Sequence, residues 1–443
     1  VYKIVANQSG MPYSFLQVGH PGMPFLCAIL FMILSAPAAF ARSLPLFSLP
    51  SFAPSQPNQK SDVQKFRVLV YPHQGLYPIP QGKELNTDEV VVTAAQGCTT
   101  YLAVLDAKKN WVKQGPARTV GISFSLQADG DLGVQFFPTP NLYYECAGNF
   151  TVQREKPLAS ISYAGDFVVV QENQQVEIIN VVDPEVYLKG VIPSEISASW
   201  PSEVLKAQAI ATRSYAWWTV FAARQPSTTT ANPNYDMDDT VLYQAYLGTS
   251  TRDATTDSAA DATAGTVMEY QNEVIKAYFS ADSGGYSEDA SSVFSGSFPY
   301  CQAKKEEYNV AESKTAWQKI MTLDDLASHL ALEKLIPEKV AVLNVWVKDS
   351  DRTRSGRAAF VNVLGSDQKN YVISGNDFRY ATKVRSNLFR VIMGRADITF
   401  DGKGYGHGVG MAQDGAYQYV KQLNWNFEKI LNFYYTGITL VHE

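Results

Sequence analysis

SEVLKAQAIATRSYAWWTVFAAR, residues 202–224, decides the fold. Val204, Ala207, Ile210, Ala211, Ser214 and Trp218 recur at i, i+3, i+4 spacing and trace one apolar-to-small face, the pattern of a helix packed into a core. Pro201 suits the first helical position, with Ser199 or Trp200 expected to cap it and Glu203 favourable in the first turn. The helix is expected to lie buried at the centre of the second half of the chain.

N-terminal to this helix the apolar period shortens to two. FRVLVYP from Phe66, EVVVTAA, TYLAVLDA and VGISFSL are short strands broken by turn residues, and ISYAGDFVVVQENQQVEIINVV (residues 161–182) reads as a hairpin. C-terminal to it, TVMEYQNEVIKAYFSA is a second hairpin turning near Gln271–Asn272. TLDDLASHLALEKL is an amphipathic helix, and VAVLNVWVKD and AAFVNVLG are strands flanking a Ser355–Gly356 turn. ADITF then runs through DGKGYGHGVGMAQDG into helical AYQYVKQ, and NFEKILNFYY forms a last helix with Gly437 as its left-handed cap. No internal repeat of fixed period occurs. The expectation is an α+β fold, with a β-rich N-terminal accessory region at 65–160 ahead of a domain at 161–443 in which sheets surround a central buried helix.

The chain has 443 residues, 46% of them hydrophobic, which is enough for two or three domains and a sizeable core. A formal net charge of −6 argues against nucleic acid as the main partner, because neutralising phosphates needs a basic excess. An aromatic fraction of 12%, mostly Tyr and Phe, suits either β structure or a carbohydrate groove. MPFLCAILFMILSAPAAFA (residues 23–41) has the short apolar run and A-x-A end of a secretory signal, so 1–41 is expected to be a cleaved signal peptide rather than a membrane span. Residues 42–64, rich in Pro, Ser and Gln, read as a flexible linker. The remainder is then exported, to the periplasm, the cell envelope or beyond. Cys98 and Cys146 could pair in such a compartment, and the sequence leaves bonded and free states open.

Several residues carry chemistry. Gly402, Gly404, Gly406, Gly408 and Gly410 alternate between a strand and a helix, but no frame gives the G-x-G-x-x-G of a dinucleotide site. Alternating glycines suit a backbone crossing tightly against other elements, or a groove floor. His407 sits among them with no second histidine or cysteine nearby, and no metal or cofactor is expected. Cys301 and His407 form a nucleophile–base pair on paper only, since FPYCQAKK holds no activating feature. Asp236, Asp238 and Asp239 lack the Gly and terminal Glu of a calcium loop and read as a solvated turn. Glu195, in YLKGVIPSEISASWP, is a lone carboxylate flanked by Ile192, Pro193, Ile196 and Trp200. A carboxyl held against apolar neighbours keeps its proton and can act as a general acid. The other reading is a capping or ion-paired glutamate.

YLKGVIPSEISASWPSEVLKAQAIATRSYA resembles the signature of the SpoIID/LytB family of cell-wall proteins. DTVLYQAYLG, ATAGTVMEYQNEVIKAYFSADSGGYSEDASSVFSGSFPY, SGRAAFVNVLG through ISGNDFRYA, and GKGYGHGVGMAQDGAYQYV to FYYTG match further blocks in order, over about residues 160–440. The resemblance implies one of two activities. SpoIID-type members are lytic transglycosylases cutting peptidoglycan glycan strands, preferably stripped of stem peptides, and LytB-like members enhance amidases. It implies that Glu195 is the catalytic glutamate and Arg213 an arginine needed for activity, holding Glu195 or a sugar substituent. It also implies that Ser280, Gly284, Gly285, Tyr405 and His407 line the substrate groove. Expected partners are glycan strands and, for an enhancer, a cell-wall amidase. Zinc-binding members carry a His/Cys cluster where this chain has NPNYDMDD, so no zinc is inferred. Cys301 follows Pro299–Tyr300 where members usually read P-Y-L, and Phe279 stands where many have His.

A lone glutamate fits the transglycosylase chemistry. Hydrolytic glycosidases generally need two carboxylates, whereas a lytic transglycosylase uses the sugar's own C6 hydroxyl as a tethered nucleophile and needs one. Trp200, Tyr278 and Tyr405 are candidates to stack on sugar rings, and each is equally a candidate for the core.

Overall fold

The computed structural model describes residues 2–6, 63, 65–71, 88–94, 98–118, 141–155, 158–172, 175–225, 234–296, 298–308 and 315–442. The apolar run 23–41, the linker 42–64 apart from residue 63, and the VGISFSL segment lie outside them. The fold is α+β, as expected.

Among the described residues the largest sheet has seven strands, in the order Met237–Asp238, Phe66–Tyr71, Gln175–Val182, Asp166–Glu172, Leu142–Cys146, Cys98–Leu105 and Trp111–Arg118. Strands from both sides of residue 160 share it. Period-two alternation divides its side chains. Phe66, Val68, Val70, Tyr144, Phe167 and Ile178 face the helices, while Leu69, Tyr143, Val168, Val170 and Ile179 form a smaller core on the opposite face. Cys98 and Cys146 stand directly opposite on adjacent strands and are disulfide-bonded, with Cα atoms 4.2 Å apart. The hairpin read at 161–182 is narrower than expected: Asp166–Glu172 pairs with Gln175–Val182, while Leu158–Tyr163 joins a separate four-stranded sheet. Gly165, at φ +89°, turns the chain between the two sheets, where a Cβ would lie 2.7 Å from the Val181 carbonyl.

Helices α1 (Pro184–Glu195) and α2 (Ser202–Arg224) follow. Helix α2 is buried along nearly its whole length. It packs against α1, α3 (Ala254–Asp261), the strand Thr266–Tyr270 and the two C-terminal helices, α6 (Gln413–Leu423) and α7 (Phe427–Tyr434). The central buried helix read from the sequence is therefore present, but its start differs. Pro201 is itself the N-cap with no side-chain bond, and the Ser199 hydroxyl lies instead 3.0 Å from that of Ser197. The last helix also ends earlier than expected, with extended Tyr435 as its cap, and Gly437 (φ +72°) shapes the turn that follows.

Asp236 is not part of a solvated turn. It is 3% exposed and lies between Arg67 and Arg224, whose Nε atoms are 3.0 and 2.9 Å from its Oδ1. This trio ties the end of α2 to the strand Phe66–Tyr71. Asp238 and Asp239 are buried as well. The lack of a calcium-loop pattern suggested a solvated turn, but Arg67 and Arg224 supply the compensation that lets Asp236 be buried.

Residues 316–403 build a second core between these elements. Two three-stranded sheets enclose α4 (Leu323–Leu332) and α5 (Gly375–Thr382), with Trp317, Leu326, Val361, Phe378, Phe389 and Phe400 at the centre. Among the described residues no helix is long and apolar enough to cross a membrane.

Candidate active site

Helix α1, which the sequence did not reveal as a helix, carries Glu195 as its last residue. Asp183 caps the start by accepting from the Glu185 and Val186 N–H groups, and Pro184 fills the first turn. Tyr187, Leu188, Val191 and Ile192 bury one side. Pro193 enters the last turn, and the Ile196 N–H closes the helix on the Ile192 carbonyl. Glu195 is thus placed at the negative end of the helix dipole, which disfavours its anion.

Glu195 is held at two points, its carboxyl and its backbone carbonyl. Its Oε1 accepts the Ala245 N–H at 2.9 Å. Its backbone carbonyl accepts from Gln413 Nε2 at 3.1 Å, and Gln413 also donates to Gln208 on α2. Burial pushes its pKa above the usual carboxylate range, opposed only by the Ala245 N–H. Among the described residues no second carboxylate takes part in that shift. Its charge is felt by the phenols of Tyr187 and Tyr215, both raised chiefly by burial. A carboxyl so placed can hold a proton, release it to a nearby oxygen, and have the resulting anion steadied by one N–H.

Arg213 does not touch Glu195. It is 1% exposed and its N–H donors are fully engaged elsewhere. Nε and Nη2 pair with the two carboxylate oxygens of Glu185, each at 2.7 Å, Nη2 also meets the Ala260 carbonyl, and Nη1 reaches Thr263 and the Thr266 carbonyl. The expectation that it holds Glu195 or a sugar substituent is therefore corrected: it has no donor to spare and no exposed edge. It fastens the first turn of α1 to α2, α3 and the strand Thr266–Tyr270, at the end of α1 opposite Glu195.

The glycine-rich run and the Ser280–Gly285 segment are packed on one another. Phe279–Ser280 pairs in parallel with Met411–Ala412, immediately before Gln413, and Asp282 bridges to Tyr405. The alternate glycines permit this closeness. At Gly410, φ is +70° and a Cβ would lie 1.9 Å from the Tyr278 carbonyl. Gly284 (φ +71°) and Gly285 (φ +100°) form the turn after Asp282, their N–H groups bonded to Asp282 and Ser283 side chains. Ser280 is 7% exposed and its buried hydroxyl has no hydrogen-bond partner among the described residues. Tyr405 is exposed.

His407 is neutral. Burial, reinforced by Arg379 and Arg357, lowers its pKa to about 3. Nδ1 accepts the Val409 N–H at 3.0 Å, and the ring stands edge-on to Tyr278 and Phe294. Tyr278 stacks on Phe294 at 4.2 Å, and Trp200 packs against Tyr417. Cys301 is buried, and burial raises its thiol pKa far from any nucleophilic range. Sequence reasoning missed Ala245, Gln413, Gln208 and Glu185. Ala245 and Gln413 lie within the quoted motif blocks, but nothing in a sequence says that a backbone N–H or an amide will meet a residue so distant along the chain.

This arrangement defines a site built around the Glu195 carboxyl on an α+β scaffold, and the chain belongs to the SpoIID/LytB family. The family model described as Stage II sporulation protein matches residues 172–270. An uncharacterized protein of Brachyspira hyodysenteriae is 32% identical over 297 residues, covering 66% of this chain and 76% of its own length. Stage II sporulation protein D of Bacillus subtilis is 29% identical over 276 residues, 60% of this chain and 75% of that protein. The amidase enhancer of Bacillus subtilis is 27% identical over 300 residues, 57% of this chain but 40% of that longer protein.

Proposed function

We propose that the protein is an exported cell-wall lytic transglycosylase that cleaves N-acetylmuramic acid–N-acetylglucosamine bonds of peptide-free glycan strands, with Glu195 as its acid and base. The observation carrying this reading is the Glu195 carboxyl at the end of α1, its pKa raised by burial with no other carboxylate contributing among the described residues, and its Oε1 bonded to the Ala245 N–H. Protonated Glu195 gives its proton to the glycosidic oxygen as the bond to C1 of the muramic acid breaks. The resulting carboxylate, steadied by Ala245, then takes the proton of the same sugar's C6 hydroxyl while O6 closes on C1. The product is a 1,6-anhydro ring, no water is consumed, and Glu195 ends protonated again. The tethered nucleophile needs no second carboxylate to activate it. Export is supported by the Cys98–Cys146 disulfide, since such bonds persist in oxidising compartments.

Incubating wild type and Glu195→Gln with peptide-free glycan, followed by mass spectrometry, tests the reading. Wild type is expected to release products one water lighter than reducing sugars, and the variant none. Reducing-end products, or equal release by both proteins, would refute it. The 27% identity to a protein named amidase enhancer favours a second reading, a glycan-binding stimulator of an amidase. That reading requires amidase stimulation that survives Glu195→Gln.

A further inference from the structure

Lys276 takes no part in the chemistry above, yet its surroundings are unusual for a lysine. Its ammonium lies over the ring of Trp218 at 4.3 Å, over Tyr278 at 5.2 Å and over Tyr215 at 5.6 Å. No carboxylate pairs with it among the described residues, and the side chain is only partly exposed. Ring faces attract a cation but neutralise none of its charge, so a half-buried ammonium left among them is incompletely compensated. Burial accordingly lowers its pKa to about 8, which leaves it mostly charged at neutral pH.

The location gives this cation a context. Tyr215 links it to the candidate acid: its ring flanks Lys276, and its phenol feels the Glu195 charge. Tyr278 links it to the glycine-rich run, since the ring stands 5.9 Å from that of His407 and its carbonyl accepts the Met411 N–H. Lys276 and Glu195 are thus joined through one phenol, that of Tyr215, and the partly exposed Trp218 ring under the ammonium is of the kind on which sugar rings rest.

We propose that Lys276 is a substrate-binding residue that reads a carboxylate on the glycan, its ammonium pairing with the free lactyl carboxylate of a peptide-free N-acetylmuramic acid unit. This rests on the glycan reading above and adds a determinant to it. In a glycan that still bears stem peptides the lactyl group is an amide and carries no charge at that position. N-acetylglucosamine has no lactyl group at all. A single buried-edge cation thus separates the three chemistries, and an arriving carboxylate completes the compensation that the rings leave unfinished.

Binding is measured with the Glu195→Gln protein, which leaves its ligand intact, and with Glu195→Gln/Lys276→Met and Glu195→Gln/Lys276→Arg. The ligands are peptide-free glycan, the same glycan with its lactyl carboxylates converted to methylamides, and chitin oligosaccharides of equal length. Methylamidation is expected to weaken binding to Glu195→Gln roughly tenfold or more, the worth of a charge-assisted hydrogen bond. The Met variant should lose that discrimination while keeping its affinity for chitin oligosaccharides, and the Arg variant should retain it. Discrimination that persists without Lys276, or a Met variant weakened equally toward all three ligands, overturns the assignment. If Glu195→Gln binds all three ligands equally, the lysine assignment falls and the glycan reading stands. If it binds none, both fall.

Discussion

Replacing Arg213 by Met separates a structural strut from a substrate contact. The change keeps an unbranched, helix-compatible side chain on α2 but removes the paired bonds to Glu185 and those to Ala260, Thr263 and Thr266. Breaking a buried ion pair from one side costs about 3–5 kcal/mol when the remaining charge is stranded. Glu185 is 31% exposed and can be rehydrated, so the lower figure, about 3 kcal/mol, applies. At roughly 2–4 °C per kcal/mol this lowers the melting temperature by about 6–12 °C. Glu185→Gln leaves the guanidinium, 1% exposed, without a counter-charge and turns an amide N–H toward one of its donors, so it should cost at least as much, about 3–5 kcal/mol. The double variant should be less destabilised than the sum of the two singles, by at least about 1 kcal/mol. Urea unfolding followed by tryptophan fluorescence measures all three, with glycan cleavage assayed well below each transition. An Arg213→Met protein that unfolds like wild type yet cleaves nothing would refute the strut and return Arg213 to the substrate.

Three further outcomes follow from the electrostatics and the cross-link. Burial raises the folded-state pKa of Glu195, so its proton contributes stability below the unfolded value and that contribution is lost as pH rises through the folded value. Glu195→Gln should therefore melt above wild type at neutral and alkaline pH and equal to it in acid, while wild-type cleavage falls as pH climbs past the raised pKa. Glu306, buried against Tyr434 and raised to about 7 by desolvation, follows the same sign: its stabilising proton leaves as pH passes about 7. Glu306→Gln should flatten the decline in melting temperature that wild type shows across neutrality. The Cys98–Cys146 bond spans a sequence separation of 48. Closing a loop of that size is worth roughly 4 kcal/mol in the chain-entropy account, so reduction should lower urea stability by a comparable amount. An unchanged transition in reductant would show the cross-link to be energetically idle.

What was legible in the sequence is what repeats locally. The α2 stripe, the amphipathic Leu323–Leu332 helix and the Gln271–Asn272 turn, with both residues at positive φ, are set by neighbours three or four positions away at most. Helix α1 was not legible, because Gly190 and Pro193 blunt its propensity and its start depends on the Asp183 cap. Glu195 stood out by its apolar flanks, yet what fixes it comes from residues 208, 245 and 413. The buried Asp236 was misread for the same reason. Its partners Arg67 and Arg224 arrive from a strand and a helix end that no local pattern connects.

The two ends of α1 explain why an arginine buried away from Glu195 belongs with a site built around that carboxyl. Glu185 and Glu195 are separated by roughly 15 Å along the helix axis at 1.5 Å per residue. The first is gripped by Arg213, and the second carries the candidate chemistry. A carboxyl that must serve one oxygen and then another has little tolerance for drift, since misplacement of about 1 Å can cost a hundredfold in rate. Yet its immediate surroundings hold it weakly: one N–H on the carboxyl, one amide on the backbone, and a helix dipole that opposes its anion. Stronger local bonds to the anion would fix it better but would also lower the pKa that a general acid needs. The restraint is instead placed at the far end of a rigid helix, where an ion pair can be strong without altering the acid. Clamping at Arg213–Glu185 and a raised pKa at Glu195 are thus compatible only because α1 separates them.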